Sequence, residues 1–402
     1  MDQTAFFARL DRQRIETPSW GYSRCGTRFG AIPEPGQATT LDEKLEDAAI
    51  VHRFTGICPS VALHIPWDKA PNNDWVAMKR RADQLGIRIG AINPNVFQDT
   101  RYALGSACSP FADVRAMAIE HMAGECTQIM RDTGSDTLSL WFGDGTNYPG
   151  QDCMRTRKRR MEAALKAVYE RLPAGSRMLV EYKCFEPSFY HTDIQDWGSA
   201  LLFCQKCGPK AQVLVDTGHH LPGCNIEHIV ASLLDEGRLG GFHFNARKYA
   251  DDDLTVGSID PYQMFLIYNE LVGAEDSSDP VASATAKNVA YMFDQSPTLK
   301  HRIEATIQST VFVQEMYAKA VLVDRAALAK ARAEGDVTGA EEVLRDAYNS
   351  DVRPALAKWR TAKGLLAEPL KAYRASGLKE SAAKERAIRH GSAAAGASGG
   401  FQ

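Results

Sequence analysis

Short apolar runs that end in polar or aromatic residues recur along the chain, and each is followed by an amphipathic stretch. The length and apolar character of the runs suit parallel strands that are buried on both faces. Stretches between them, such as 113–132, 157–172 and 226–239, carry apolar residues at helical spacing. The predicted strands are 19–22, 61–67, 87–93, 137–142, 177–183, 212–216, 240–245 and 291–294.

Eight strands that alternate with helices predict an α/β fold, a (β/α)8 TIM barrel, over residues 1–300. Long helical patterns follow the last strand, and they predict a C-terminal helical extension over 301–380. The small and featureless residues at the end of the chain predict a flexible tail, which we place at 381–402.

Charge and composition narrow the possible partners and location. The 402 residues include 47 basic and 50 acidic side chains, and the formal net charge is −3. This balance disfavours a protein that binds nucleic acid or an anionic membrane surface, because such partners are met by clustered positive charge. We find no apolar run long enough to span a membrane and no signal peptide. Nine cysteines, an odd number in a long chain, indicate reduced thiols, so we expect a cytoplasmic protein.

One CxxC pattern, Cys204 to Cys207, lies near the end of a predicted helix. It is compatible with a redox pair or with half of a zinc site. No second CxxC or HxxxH completes a zinc set, so incidental helix cysteines are the favoured interpretation.

Strands five to eight end in metal-ligand residue types. In a TIM barrel the active site lies at the carboxyl ends of the strands, so these side chains converge on one mouth. Like charges gathered there repel, and their burial is costly unless a cation compensates. An oxygen-rich set with one imidazole suits Mn²⁺, Co²⁺ or Mg²⁺. The four candidate ligands are Glu181, Asp216, His243 and Asp294.

A second candidate set consists of His219, Asp251 and Asp253. Asp251 and Asp253 are two residues apart, so in an extended loop both face one ion. Asp216 precedes His219 by three residues and is placed to bridge two ions. Taken alone, each residue is more often a cap or a satisfied hydrogen-bond partner, and an acidic run is usually a solvated loop. The conjunction of four strand ends favours a two-metal site.

These residues lie in segments that resemble the L-rhamnose isomerase and related aldose–ketose isomerase family, which is similar to xylose isomerases in fold and metal arrangement. The resemblance covers roughly residues 15–380. The matching segments are 18–21 (PSWG), 26–29 (GTRF), 63–69 (LHIPWDK), 141–145 (WFGDG), 181–183 (EYK), 215–220 (VDTGHH), 241–245 (GFHFN), 248–254 (KYADDDL) and 294–296 (DQS).

The resemblance implies two divalent ions per chain. Mn²⁺ is the expected ion, and Co²⁺, Mg²⁺ and Zn²⁺ are the alternatives. It assigns the first ligand set to a structural ion and the second to a catalytic ion, and it makes Asp253 a catalytic residue as well. His64 corresponds to the residue near the sugar ring oxygen, and Lys183 to the residue near the carbonyl oxygen. The expected sugar-binding residues are Trp67, Phe97, Trp141 and Phe29, of which Phe29 reaches a neighbouring subunit's site.

The resemblance thus implies a cytoplasmic enzyme of carbohydrate metabolism, an aldose–ketose isomerase of the L-rhamnose to L-rhamnulose type that also accepts related aldoses. Hydrogen would pass between C1 and C2 with metal assistance. We expect a small-molecule sugar as partner and a homo-oligomer, a dimer or tetramer. The alternatives are a single-metal ketose 3-epimerase or a metal-dependent hydrolase on the same barrel, and a non-catalytic sugar-binding or scaffold protein.

Overall fold

A closed barrel of eight parallel strands forms the centre of the protein, as seen in a computed structural model that describes residues 2–23, 26–27, 30–186 and 189–390. Each strand pairs with the next along the chain, and the last pairs with the first. We number them in chain order: β1 Glu16–Pro18, β2 Ser60–Ile65, β3 Arg88–Pro94, β4 Thr137–Leu140, β5 Arg177–Glu181, β6 Ala211–Asp216, β7 Leu239–Phe244 and β8 Ala290–Phe293.

Helices surround the barrel and continue beyond it. Their apolar faces pack on the outward-facing strand residues and form one large core. The helices are α1 Gln3–Leu10, α2 Leu41–Thr55, α3 Trp75–Gln84, α4 Ala112–Glu120, α5 Thr127–Thr133, α6 Met154–Arg171, α7 Trp197–Cys207, α8 Ile226–Asp235, α9 Pro261–Glu275, α10 Pro280–Lys287, α11 Arg302–Val321, α12 Arg325–Glu334, α13 Val337–Asn349, α14 Arg353–Ala362, α15 Pro369–Ala375 and α16 Leu378–His390.

The predicted barrel fold is confirmed, but the first predicted strand is wrong. Residues 19–22 form a short 3-10 helix, and the strand is Glu16–Pro18, paired with β2. Pro18 lacks a backbone N–H and cannot continue a sheet ladder, which explains why the strand ends there. Each of the other predicted strands agrees with the structure to within two residues at either end.

Two helices, α11 and α16, lie at the predicted C-terminal boundaries. Helix α11 follows β8, is buried along most of its length and packs against α2 and α9, so the predicted boundary at residue 300 falls directly before a helix of the main core. The predicted tail begins too early, because residues 381–390 belong to α16. Arg386 of α16 forms a buried ion pair with Asp47 of α2 at 2.7 Å, a contact across 339 residues that the local pattern does not reveal. Residues 391–402 lie outside the described residues.

No described helix combines the length and the apolar character that a membrane crossing requires.

Candidate metal centre at the barrel mouth

The register of the last barrel strands brings the candidate ligands to one height. Asp216 in β6 lies beside His243 in β7, and His243 lies beside Met292 in β8, two residues before Asp294. Glu181 is the last residue of β5 and pairs with Leu214. Because residues two apart share one face of a strand, the four side chains point into the same mouth.

The first predicted ligand set comes together in the structure. Its members each offer one ligand atom, and these atoms all lie within 4.8 Å of one another. His243 Nδ1 lies 3.2 Å from Glu181 Oε2 and 3.5 Å from Asp294 Oδ2. The set consists of Glu181, Asp216, His243 and Asp294.

A second group, Asp216, His219 and Asp251, meets the same 4.8 Å limit. His219 Nε2 lies 3.4 Å from Asp251 Oδ2 and 3.9 Å from Asp216 Oδ2. Asp216 belongs to both groups, as the sequence predicts for a carboxylate that bridges two ions. We refer to the two groups as the first and second clusters.

Asp253, predicted as a further ligand, is not part of the second cluster among the described residues. It has a left-handed backbone with φ of 48°, and its carbonyl accepts a hydrogen bond from the Ser296 amide at 2.9 Å. A left-handed residue breaks the alternation of an extended loop, so the two-residue spacing from Asp251 does not by itself fix the direction of the Asp253 side chain. Burial raises the pKa of Asp253, and the nearby carboxylates of Asp251, Asp294 and Asp216 raise it further.

The imidazoles balance the crowded carboxylates in the metal-free protein. Burial and the neighbouring carboxylates of Glu181 and Asp251 raise the pKa of Asp216 to about 7, although the charge of His219 opposes them. Burial alone would lower the pKa of His243, but the Glu181 carboxylate outweighs it and raises that pKa to about 9. In the absence of a metal, bound protons therefore offset the negative charge of these carboxylates. A divalent cation would offset the same charge when bound.

The donor set fits such a cation. His243 Nε2 and Asp251 Oδ1 are buried and have no hydrogen-bond partner among the described residues. Buried polar atoms are nearly always paired, so these atoms indicate that the site accepts a further group. Carboxylate oxygens with one imidazole in each cluster match the preferences of Mn²⁺, Co²⁺ and Mg²⁺.

Asn245 supports the shared ligand, a role that the sequence analysis missed. Its Nδ2 lies 2.9 Å from Asp216 Oδ1 and 3.1 Å from Oδ2. The Gly218 amide donates to the same Oδ1 at 2.6 Å, and a Cβ at Gly218 would lie 2.7 Å from Asn245 Oδ1. Only glycine therefore fits between Asp216 and Asn245. The available signal was spacing, since Asn245 follows the ligand His243 by two residues.

Lys183 lies at the second cluster, on the side of the predicted sugar pocket. Its Nζ is 2.8 Å from Asp251 Oδ2, contacts the carboxylate of Glu186, and lies 5.2 Å from the centre of the Trp141 ring. Burial opposes the charge, but Asp251 and Glu186 outweigh it and raise the pKa of Lys183 well above its ordinary value. The side chain is therefore a held cation. Glu186 was not identified from the sequence.

The predicted aromatic residues form one continuous wall. The rings of His64 and Trp67 are stacked, with centres 3.7 Å apart, and Phe97 meets Trp141 edge-on at 4.7 Å. Phe97 also contacts His64 edge-on at 5.8 Å. Burial lowers the pKa of His64 well below its ordinary value, so the imidazole is neutral. Phe29, the remaining predicted sugar-binding residue, lies outside the described residues.

Trp20 connects this wall to the first cluster. Its ring contacts His64 edge-on at 5.6 Å, and its Nε1 donates to Asp294 Oδ1 at 2.9 Å. Trp20 stands in a matched sequence segment, but only the fold shows what it touches.

A third group of potential ligands, Cys108, Asp144 and Asp193, is already neutralised. Arg157 is fully buried, and its Nη2 donates to Asp193 Oδ2 at 2.7 Å. Asp144 accepts hydrogen bonds from the amides of Ser106 and Cys108. We therefore assign this group to structural support.

Cys204 and Cys207 lie in α7, where the sequence predicts a helix. Neither belongs to a ligand group within the described residues.

Comparisons with known proteins identify relatives of this chain. No family model matches the sequence. A probable sugar isomerase of Rhizobium meliloti (strain 1021) is 43% identical over 100% of this chain and 91% of its own length. A probable sugar isomerase of Mesorhizobium japonicum is 42% identical over 99% of this chain and 90% of its own.

Two solved structures share the fold at low identity. An L-ribulose 3-epimerase has a TM-score of 0.54 at 16% identity and covers 84% of this chain and 97% of its own. A xylose isomerase domain protein from Alicyclobacillus acidocaldarius has a TM-score of 0.52 at 13% identity, with 77% and 99% covered.

The barrel and its mouth, together with these relatives, define an enzyme of the isomerase class on a xylose-isomerase-like TIM barrel. The chain belongs to the family of the two probable sugar isomerases, which it matches along nearly its whole length.

Proposed function

We propose that this protein interconverts an aldose and a ketose, with L-rhamnose and L-rhamnulose as the first pair to test and related aldoses as further substrates. The observation that carries the proposal is the pair of carboxylate–imidazole clusters that share Asp216 at the mouth of the barrel. Lys183 and the aromatic wall stand directly beside these clusters. Two cations and an ammonium group would suit the adjacent carbonyl and hydroxyl oxygens of a sugar, and the aromatic wall would suit its carbon atoms.

The first and second clusters would each hold one divalent cation, with Mn²⁺ as the first choice and Co²⁺, Mg²⁺ or Zn²⁺ as substitutes. When bound, the two cations would polarise O1 and O2 of the open-chain sugar and lower the barrier for hydrogen transfer between C1 and C2.

His64 would open the sugar ring. Its imidazole is neutral, so one ring nitrogen carries a lone pair that can accept the proton of the anomeric hydroxyl. The stack on Trp67 and the edge contact with Trp20 fix the orientation of the ring. A fixed base close to the hydroxyl needs no reorganisation at the moment of proton transfer.

Lys183 would stabilise negative charge on the carbonyl oxygen, because its ammonium is held in place by Asp251 and Glu186. Asp253 would move the O2 proton, since its carboxyl lies beside the clusters but outside the ligand set. Trp67, Phe97 and Trp141 would exclude water from the reacting carbons.

We further propose a cytoplasmic homo-oligomer, a dimer or tetramer, in which Phe29 reaches a neighbouring site. Large apolar side chains stand exposed on loops that follow the barrel strands, and a neighbouring subunit would shield such side chains from water. Light scattering tests this part, and a monomer would contradict it. The exposed residues are Tyr148, Tyr190, Leu221, Tyr249 and Leu299.

A single-metal ketose 3-epimerase is the second candidate. The first cluster has four members, whereas the second, within the described residues, has three and does not include Asp253. One tightly bound ion per chain and epimerisation of a ketose at C3 would favour this candidate. Two ions with aldose–ketose exchange would favour the isomerase.

The decisive assay is a panel of aldoses, headed by L-rhamnose, incubated with Mn²⁺ or with a chelator and analysed for ketose. We expect ketose with Mn²⁺ and none after chelation. No ketose from any aldose would reject the proposal, and ketose at full rate in chelator would reject its metal dependence. The same reaction in deuterated water separates a hydride shift, with little solvent exchange, from an enediol route.

A further inference from the structure

Two pairs of consecutive residues face each other at the mouth: Glu181 and Tyr182 at the end of β5, and His219 and His220 in the turn after β6. On the side of the clusters, His219 Nδ1 lies 3.2 Å from Glu181 Oε1. On the opposite side, the Tyr182 hydroxyl and His220 Nε2 form a hydrogen bond of 2.7 Å, and the two rings meet edge-on at 5.3 Å. The side chains of Tyr182 and His220, which we call the outer pair, are both buried. The same two segments are therefore joined on both of their faces.

A third contact links the outer pair to the candidate ligand. His219 Nδ1 donates to the Tyr182 carbonyl at 3.1 Å, while Nε2 of the same ring faces the carboxylates of Asp251 and Asp216. A histidine that binds a metal commonly donates its other ring N–H to a carbonyl, which fixes the tautomer and the ring orientation. The position of the Tyr182 carbonyl therefore determines the direction in which His219 Nε2 points.

We propose that Tyr182 and His220 are positioning residues, whose buried hydrogen bond holds His219 in line with the second cluster. The inference rests on the proposed function, in which His219 is a metal ligand. His220 Nδ1 has no hydrogen-bond partner among the described residues, so removing the Tyr182 hydroxyl would leave both nitrogens of this buried ring without one, and such a group tends to move towards water. Because His220 follows His219 directly, that movement would turn the ligand away from Asp251.

Calorimetric titration with Mn²⁺ of Tyr182→Phe against Tyr291→Phe tests the inference. Tyr291 is a barrel-strand tyrosine whose buried hydroxyl has no hydrogen-bond partner in the described part of the chain, so its loss breaks no bond. Substitutions behind metal ligands typically cost about 10- to 100-fold in affinity. We expect that loss for one ion only in Tyr182→Phe and wild-type binding in Tyr291→Phe. Unchanged binding of both ions in Tyr182→Phe would overturn the inference.

A conservative substitution separates positioning from bulk packing. His220→Gln retains an acceptor for the Tyr182 hydroxyl, whereas His220→Leu does not. We expect His220→Gln to bind the second ion more tightly than His220→Leu, and Tyr182→Phe combined with His220→Leu to be no weaker than either alone. Equal losses for Gln and Leu, or losses that add, would show a role other than this hydrogen bond.

Crystal structures distinguish failure of this inference from failure of the proposed function. In Tyr182→Phe we expect the His219 ring to shift by about 1 Å or more from its wild-type position, the scale at which site geometry is lost. An unmoved ring would reject the positioning role. If wild-type protein makes no ketose and binds one ion, the proposed function fails, while the ring displacement still decides the role of Tyr182 and His220.

Discussion

Asn245 bonds to both carboxylate oxygens of Asp216, with its Nδ2 2.9 and 3.1 Å away from them. Asp216 is the one residue common to both clusters. An amide that donates to both oxygens fixes the plane of the carboxylate, so each oxygen can face a different cluster.

This relationship predicts that Asn245→Asp weakens the binding of both ions. The substitution keeps the shape of the side chain but replaces a donor with a carboxylate beside Asp216. We expect a loss of about 10- to 100-fold in Mn²⁺ affinity, measured by calorimetry. The control is Asn269→Asp in α9, where the aspartate would keep the hydrogen bond from Arg325 and, as at Asn245, lose a donor to a carboxylate, that of Glu270. Wild-type affinity in Asn245→Asp would contradict the supporting role.

Above about pH 6.5 the stability of the metal-free protein should fall as pH rises. In the folded protein the pKa of His243 is raised from its ordinary 6.5 to about 9. Its protonation therefore stabilises the fold fully below pH 6.5, and this stabilisation is lost as the pH rises through about 9. The pKa of Asp216 is likewise raised, from 3.8 to about 7, so Asp216 binds its proton more tightly in the folded state. The stability that this proton contributes is lost as the pH rises from 3.8 to about 7.

Thermal unfolding in chelator between about pH 6 and about pH 9 measures this fall. Excess Mg²⁺ should raise the Tm most at the higher pH, because deprotonated ligands bind the cation and binding to the folded state stabilises it. A Tm that rises with pH in chelator would contradict the assigned pKa directions.

Substitutions of Asp253 and His219 should affect turnover and metal binding differently. Asp253→Asn is expected to retain two ions per chain and to lose turnover by at least about 100-fold, as for removal of a general acid or base. His219→Asn is expected to lose both the second ion and turnover. Metal content by plasma emission spectrometry, with initial rates, checks both. Loss of an ion in Asp253→Asn would restore it to the ligand set.

Arg386→Met should destabilise the protein without changing metal content. The change leaves Asp47 buried without its 2.7 Å partner, and uncompensated buried charges cost about 3–5 kcal/mol. Denaturant unfolding measures the loss. The control is Arg389→Met on the same helix, whose exposed side chain pairs with the buried Glu43. His390 and the Thr39 amide still contact the Glu43 carboxylate in this variant, so we expect a smaller loss than in Arg386→Met. Equal losses in the two variants would contradict the importance of the buried pair.

The barrel could be predicted because each strand is a short apolar run that is recognisable from its own residues. The alternation of these runs with helical stretches then indicates parallel strands, whose carboxyl ends all lie at one end of the barrel. The candidate ligands Glu181, Asp216 and His243 follow from the same rule, since carboxyl ends of parallel strands share one edge. Asp253 could not be placed, because its left-handed backbone is a property of the folded loop. The Asp47–Arg386 pair depends on the docking of α16, which local pattern does not reveal.

The central claim is that two cations bind between the carboxylates and imidazoles of the barrel mouth. Anomalous diffraction from crystals soaked in Mn²⁺ tests it most directly. The account predicts two peaks, one enclosed by Glu181, Asp216, His243 and Asp294 and the other by Asp216, His219 and Asp251. A map with no peak beside Asp216, or with these side chains turned away from each other, would contradict it.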